Sequence, residues 1–288
     1  MERPTSGYQD EAGSALALKR VVCAIDSSAE SFEAAGQAVA IAAEDAELWG
    51  VSAWDPAFAM HAGIHAGEVA ADFRRERAKA LSRVLDAYPG LQPMSMRGRV
   101  VAGLLAALSS VQADLVGVGS HGTSRIAGVL LGSVATAMIH HAPCSVLIAR
   151  RIEAQPFPAS ILHAGDGSPD SSDAARVAGR IAAHHGAKLV TLHVRDGEEP
   201  GGAIAEDAVA LLESRGSKPE ARVEQGSPHE RIVEVANEIG ASLVVVGSRG
   251  VTGLRSFGSV SERVAHEASC SVLIVRRPSH PSLTGDAS

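Results

Sequence analysis

Glycine and serine residues recur at regular spacing in GSHGTSRIAGVLLGSV, which runs from 119 to 134. Gly119 and Gly122 follow the apolar run DLVGV, while Gly132 and Ser133 precede a helical pattern. Glycine tolerates positive φ and has no Cβ to keep an anion away from main-chain N–H groups. Serine can cap a helix, whose N-terminus carries partial positive charge. The spacing predicts a phosphate site, here called the first clasp, which also includes Ser120, His121, Arg125 and Val134.

A shorter copy of the same motif, GSRGVTGLRSFGSV, runs from 247 to 260. Only seven residues separate Gly250 from Gly258, against the nine that separate Gly122 from Gly132 in the first clasp. Arg255 lies between them and could add positive charge, as Arg125 could in the first copy. The residues of this second clasp are Gly247, Arg249, Gly250, Gly258 and Ser259.

The duplication extends far beyond the two clasps. KRVVCAIDSSAES, from Lys19, lies over ASILHAGDGSPDS, from Ala159, and CSVLI occurs near the end of both copies. Asp26 therefore corresponds to Asp166, and each follows a predicted strand. Self-similarity of this length predicts two tandem domains, residues 1–152 with a polar tail at 1–17 and residues 153–288 with a polar tail at 277–288. Two prolines mark the seam IEAQPFP, 152–158.

Short β-branched runs alternate with helical patterns in both copies. The runs are RVVCAI, ELWGVSA, DLVGVG and SVLIA in the first copy and SILHA, KLVTLHV, SLVVVG and SVLIV in the second. Runs that are apolar on both faces and separated by helices predict a parallel sheet covered on both sides. The fold class is therefore α/β, with two tandem, Rossmann-like, doubly wound open sheets.

Helix termini also have local signals. Ser27 with Glu30 has capping-box spacing and an apolar stripe at 32, 35, 39 and 42 follows it, Ser168 precedes Pro169, and Gly240 ends a predicted helix. Asp26 and Asp166 would lie at the carboxyl edge of the sheet, where ligands bind in this fold class. A carboxylate there can accept a hydrogen bond from a ribose hydroxyl, or it can simply cap the next helix.

Composition excludes several classes of partner. The net charge is −7 without a basic block, and aromatic residues make up only 3% of the chain, which argues against nucleic acid and anionic membranes as partners. No apolar run approaches the roughly 18 residues that a membrane span needs. Three cysteines without a CxxC motif, and no secretory signal at the start, predict a cytoplasmic protein.

Parts of these motifs also fit functions other than phosphate binding. GVGSHG, 117–122, has the GxGxxG form of a dinucleotide fingerprint, but the expected acidic residue is missing and Val245 replaces Gly117 in the second copy. The clasp glycines could instead serve only turns and close helix packing. His61 and His65 have the spacing of a metal pair without an evident third ligand. Ser120 and Ser248 lack evident His and Asp partners for nucleophilic catalysis.

At these residues the chain resembles the universal stress protein family in its tandem form. Gly119, Gly122, Gly132 and Ser133 match the spacing of the nucleotide-binding members. The resemblance implies that these residues hold the phosphates of ATP, with or without Mg²⁺, and that Asp26 contacts the adenosine moiety. It also implies that main-chain groups of Ala53 on the second strand face adenine, with Val194 as the corresponding candidate in the second copy.

The same resemblance implies an ATP-binding regulator of the stress response with an unidentified protein partner. It implies that the last strands of the two domains pair within one chain, with a homodimer as a further option. Hydrolysis is expected to be slow, because no general base is paired with an acidic metal-binding cluster. For the shorter clasp, weak binding, another nucleotide and no nucleotide all remain open.

Two other functions are considered. One is a protein interaction platform without nucleotide binding. The other is an enzyme of the related nucleotide α-hydrolase architecture, although AIDSSAES is not the SGGxDS-like loop of such enzymes.

Overall fold

A computed structural model describes residues 17–55, 57, 65–122, 131–151, 156–195, 202–213, 219–249 and 259–277. The statements below about the structure refer to these residues. The strands of the first half are β1 (Arg20–Ala24), β2 (Glu47–Trp54), β3 (Leu91–Arg97), β4 (Leu115–Gly119) and β5 (Ser145–Ala149). Those of the second half are β6 (Ser160–Ala164), β7 (Lys188–Arg195), β8 (Glu220–Gln225), β9 (Leu243–Gly247) and β10 (Ser271–Val275).

Helices alternate with these strands in both halves. The first half contains α1 (Ala29–Ile41), α2 (Ala66–Ala87), α3 (Val100–Ser110) and α4 (Ser133–His141). The second contains α5 (Pro169–His185), α6 (Gly202–Glu213), α7 (Pro228–Glu238) and α8 (Ser259–Glu267). None of the helices in the described ranges is both long and apolar enough to cross a bilayer.

The described strands form one ten-stranded sheet in the order β3-β2-β1-β4-β5-β10-β9-β6-β7-β8. Pairing is parallel within each half, and β5 pairs antiparallel with β10, with Leu147 opposite Leu273. The expected pairing of the two last strands within one chain is thereby confirmed. The chain reverses its direction across the sheet between β1 and β4, and again between β6 and β9. These are the two switch points at which a doubly wound sheet opens a crevice.

Alternating strand residues supply two apolar layers, one on each face of the sheet. In β1, Val22 belongs to one layer, while Val21 and Cys23 belong to the other. All five residues of β5 and of β10 are buried, because helices cover both faces and the two strands shield each other's edge. The continuous apolar runs in the sequence follow from this burial on both sides.

The helix ends predicted at Ser168 and Gly240 are confirmed, and the first N-cap lies one residue later than predicted. The N-cap of α1 is Ser28 rather than Ser27, and its Oγ accepts the Ser31 amide over 3.1 Å. Ser168 caps α5 with Pro169 as the first helical residue, as predicted. Gly240, with φ +60°, follows the end of α7. The buried face of α1 includes Ala34, Ala35, Ala38 and Ile41, whereas the predicted Phe32, Val39 and Ala42 are half-buried at its margin.

Strands β3 and β8 were not among the predicted strands. They lie at the two ends of the sheet, and most of their residues are exposed or half-buried. An edge strand with a solvated face lacks the continuous apolar run that marks the inner strands.

Candidate functional site

Asp26 lies directly after β1, at the switch point beside β4. The Ile25 amide donates to the Val51 carbonyl over 2.8 Å, which keeps the end of β1 aligned with β2. The Asp26 carboxylate accepts the Ser28 amide over 2.8 Å and also the Ser28 hydroxyl. Asp26 therefore organises the entry into α1, as its capping interpretation predicted, while its second carboxylate oxygen faces the neighbouring loop.

Two glycines of the first clasp lie close to this carboxylate. A Cβ built on Gly122 would be 2.8 Å from Oδ2 of Asp26. A Cβ on Gly132 would contact Cα of His121 and the carbonyl oxygen of Ser120, both at 3.4 Å. The structure therefore brings the two ends of the clasp together beside Asp26, although nine residues separate Gly122 from Gly132 in the sequence.

The Gly132 amide is not directed at an anion. It donates to the Ser120 carbonyl over 2.7 Å and joins the loop after β4 to the start of α4. Gly132 is the N-cap of α4, so the expectation that Ser133 caps the helix is wrong. Ser133 is the first helical residue, and its side chain is exposed. Its amide and that of Val134 belong to the first turn, where N–H groups have no acceptor within the helix.

Gly119 is required by helix packing rather than by unusual backbone angles. A Cβ there would lie 2.9 Å from the carbonyl carbon of Glu30 in α1. Gly247 has the same relation to Asp170 in α5, at 2.8 Å. Positive φ occurs among the described glycines at 98, 167, 186, 226 and 240, and at none of the clasp glycines within the described ranges. The expectation of positive φ is wrong there, and close packing explains Gly119 and Gly247.

Arg77 is a site residue that the sequence analysis missed. It lies on α2, its side chain is 18% exposed, and Nη1 is 3.8 Å from Oδ2 of Asp26. This buried Nη1 has no hydrogen-bond acceptor among the described residues. Several arginines occur along α2, and no local pattern distinguishes the one that faces Asp26. Arg77 places a positive charge next to the carboxylate of the first site.

The two candidates for adenine contacts lie on equivalent strands. Ala53 is buried on β2, opposite Met96 of β3. Val194 is half-buried on β7, opposite Glu224 of β8. The Ile25 amide, just before Asp26, donates to the Val51 carbonyl, two residues before Ala53. In the same way, the Gly165 amide, just before Asp166, donates to the Leu192 carbonyl, two residues before Val194. Both therefore lie at the carboxyl edge of the sheet, near Asp26 and Asp166 respectively.

The second unit repeats the aspartate but changes its surroundings. The Asp166 carboxylate accepts the Ser168 amide over 3.0 Å, as Asp26 does with Ser28. Asp170 accepts the Ser248 hydroxyl over 2.8 Å and Nε of Arg249 over 3.2 Å. In the first unit the Ser120 hydroxyl is instead 3.3 Å from Nδ1 of His121. The two sites thus differ in what the serine after the strand contacts.

Several predicted residues cannot be placed. Arg125, Gly250, Arg255, Gly258 and His61 lie outside the described residues. Ser259 is the first residue of α8, and its main chain alone is described. His65 is exposed and lies 3.4 Å from Glu68. Within the described ranges, no three His, Cys, Asp or Glu side chains form a cluster that could hold a metal ion.

Buried titratable groups near the second site are structural. Burial lowers the pKa of His163 to about 4. Its Nε2–H donates to the Ser171 carbonyl over 3.1 Å, since a carbonyl can only accept, and the Thr191 hydroxyl donates to Nδ1 over 2.9 Å. Burial also raises the pKa of Cys23 and Cys144 to about 12 and that of Cys270 to about 11. The three thiols are thus buried core residues.

Comparison with known proteins identifies the family. The model of the universal stress protein family matches residues 17–150, 159–215 and 202–276. The chain belongs to the universal stress protein family. Universal stress proteins are generally non-enzymatic proteins of the stress response.

Relatives with sequence similarity occur in mycobacteria. A universal stress protein of Mycolicibacterium smegmatis is 34% identical over 188 residues, which is 58% of this chain and 63% of that protein. The match therefore spans less than two thirds of that relative. A universal stress protein of Mycobacterium tuberculosis is 30% identical over 227 residues, covering 69% of this chain and 71% of that protein.

Solved structures share the complete tandem fold. A universal stress protein from Archaeoglobus fulgidus superposes with a TM-score of 0.72 at 21% identity, covering 92% of this chain and 99% of the other. One from Pseudomonas aeruginosa gives a TM-score of 0.66 at 15% identity, with 91% and 94% covered. These likenesses establish the α/β fold in tandem arrangement.

Proposed function

We propose that this universal stress protein is an ATP-binding regulator and that its first unit binds the nucleotide at the switch point between β1 and β4. The observation that carries the proposal is the meeting of Asp26, Gly122 and Gly132 in one place. Any side chain at Gly122 would occupy the space directly beside the Asp26 carboxylate. Glycine keeps that space open to a ligand.

Each group has a role suited to its chemistry. The Asp26 carboxylate would accept hydrogen bonds from ribose hydroxyls, and the main chain at Ala53 would face adenine. The first-turn amides of α4, at Ser133 and Val134, would donate to phosphate oxygens near the positive end of the helix. Arg77 would add a positive charge beside Asp26. Mg²⁺ that accompanies ATP would be held mainly by the phosphates.

Regulation in this proposal depends on a difference between the bound and free forms. A ligand that joins the loop after β4 to the N-terminus of α4 favours one arrangement of those elements, and a protein partner would recognise that arrangement. A second copy of the chain is one candidate partner. Sedimentation velocity with and without ATP tests whether the nucleotide changes self-association.

The test of nucleotide binding is a calorimetric titration of the nucleotide-stripped chain with ATP. In Gly132→Val, the added side chain extends from a Cβ already in contact with His121 and Ser120, and we expect at least a tenfold loss of affinity. Gly67→Val is the matched control, because a Cβ at this exposed position on α2 meets nothing within 4 Å. Absence of binding to the unmodified chain, or equal affinities in both variants, would contradict the proposal.

A further inference from the structure

The second unit contains a carboxylate that binds two groups of the loop after β9. Asp170 lies in the first turn of α5, and its side chain is only 12% exposed. Oδ2 accepts both the Ser248 hydroxyl, over 2.8 Å, and Nε of Arg249, over 3.2 Å. Both groups follow β9, and Arg249 is the one from which a phosphate contact in the second clasp was predicted. Both already bind a negatively charged partner within the chain.

We infer that Asp170 determines the ligand class of the second unit, so that this unit accepts an uncharged nucleoside and rejects its phosphorylated forms. The inference rests on the proposed function for the adenosine half of the site only. Two like charges close together at a poorly solvated sheet edge repel each other, so a phosphate near Ser248 would also have to displace the carboxylate.

The charge of the neighbouring helix supports the same conclusion independently. In the first unit, α2 follows the second strand and places Arg77 near Asp26. In the second unit, α6 follows the corresponding strand, and its sequence GAIAEDAVALLE contains three acidic residues and no lysine or arginine. The side chain of Ile204 on this helix packs near Gly167, where a Cβ would be 3.5 Å from it. The positive charge that α2 supplies in the first unit therefore has no counterpart on α6.

The aspartate of the nucleoside half, by contrast, makes the same local contact in both units. Asp166 accepts the Ser168 amide over 3.0 Å, and Asp26 accepts the Ser28 amide over 2.8 Å. Val194 and Ala53 occupy equivalent places on the second strand of each half. A ribose therefore meets a similar carboxylate in the two units, whereas Arg77 of the first unit has no basic counterpart on α6.

The experiment removes phosphate binding by the first clasp, using Gly132→Val in the full chain. Adenosine and ATP are titrated by calorimetry into this variant and into the same variant with Asp170→Asn. Adenosine is expected to bind at least tenfold more tightly than ATP. Asp170→Asn is expected to raise ATP affinity at least tenfold and to leave adenosine affinity within about twofold.

Glu30→Gln in the same background is the matched control, because Glu30 is the equivalent first-turn acid of α1. It is expected to change neither affinity. Thermal melting of each variant verifies that it is folded. Absence of adenosine binding, tighter binding of ATP while Asp170 is present, or an unchanged ratio in Asp170→Asn would each overturn the inference. ATP binding by the first unit is measured separately, by titrating the chain without Gly132→Val. Failure of the proposed function is thereby distinguished from failure of this inference.

Discussion

Arg276, directly after the last strand of the second unit, donates to the carbonyl of Ile139 in the first unit over 2.9 Å. Its guanidinium also donates to the Ala142 carbonyl, so it covers the C-terminus of α4. Arg150 makes the reciprocal contact, donating to the Ala265 carbonyl over 2.5 Å and to the Cys270 carbonyl over 3.2 Å at the end of α8. Each unit thus supplies the positive charge that stabilises the other unit's clasp helix.

These reciprocal contacts predict that shortening the arginine side chain lowers the free energy of unfolding. Arg150→Ala removes a half-buried charged donor and leaves carbonyls at the end of α8 without that donor, so we expect the free energy of unfolding to fall by about 1–3 kcal/mol. Arg151→Ala, at the adjacent exposed position, is the control and should change it by less than about 0.5 kcal/mol. Urea unfolding measures both. Similar losses in the two variants would show that Arg150 does not join the units.

Close packing of α1 on β4 predicts that even one methyl group at Gly119 is destabilising. Its Cβ would lie 2.9 Å from the Glu30 carbonyl carbon, and main-chain atoms cannot move aside as a flexible side chain can. We expect Gly119→Ala to lower the free energy of unfolding by about 1–3 kcal/mol. Gly90→Ala, whose Cβ would be 3.9 Å from the Leu48 side chain, is the control. An unchanged denaturation midpoint in Gly119→Ala would exclude the packing explanation.

The position of Arg77 predicts a specific contribution to ATP binding. Arg77→Gln keeps a polar side chain but removes the charge beside Asp26, so we expect ATP affinity to fall about five- to tenfold. Arg74→Gln, on the exposed side of the same helix, removes an equal charge farther from the site. Calorimetry at two salt concentrations compares the variants. The same small loss in both would mean that Arg77 acts only through the overall field of the protein.

Burial of His163 predicts a pH dependence of stability. Its pKa is lowered from 6.5 to about 4, so between these values the unfolded chain binds a proton that the folded chain does not. Stability therefore rises with pH across this window, by up to about 1.4 kcal/mol per pH unit from this residue, and its contribution levels off above pH 6.5.

The His163 contribution is measured as a difference between variants. His163→Gln should reduce the slope of unfolding free energy against pH by about one proton between pH 4 and pH 6.5. The comparison variant is His184→Gln, at an exposed position near the end of α5. Equal slopes in all three proteins would show that the folded and unfolded chains bind the His163 proton alike.

Several features of the fold follow from local sequence alone. The inner strands are apolar on both faces, and this pattern is stable only when helices cover both sides of a parallel sheet. The correspondence of Asp26 with Asp166 places both carboxylates after a first strand, and the structure has them there. The edge strands β3 and β8 escaped prediction because their outer residues contact water, so that their sequences resemble loops.

The sequence by itself determined the repeat, the alternation of strands and helices, and the edge of the sheet at which a ligand would bind, because these depend on neighbours in the chain. Tertiary structure decided which charges meet at that edge. Arg77 reaches Asp26 from a helix about 50 residues away, and Asp170 reaches Ser248 across 78 residues. Such contacts depend on the distance between packed elements, and the spacing of residues along the chain does not encode that distance.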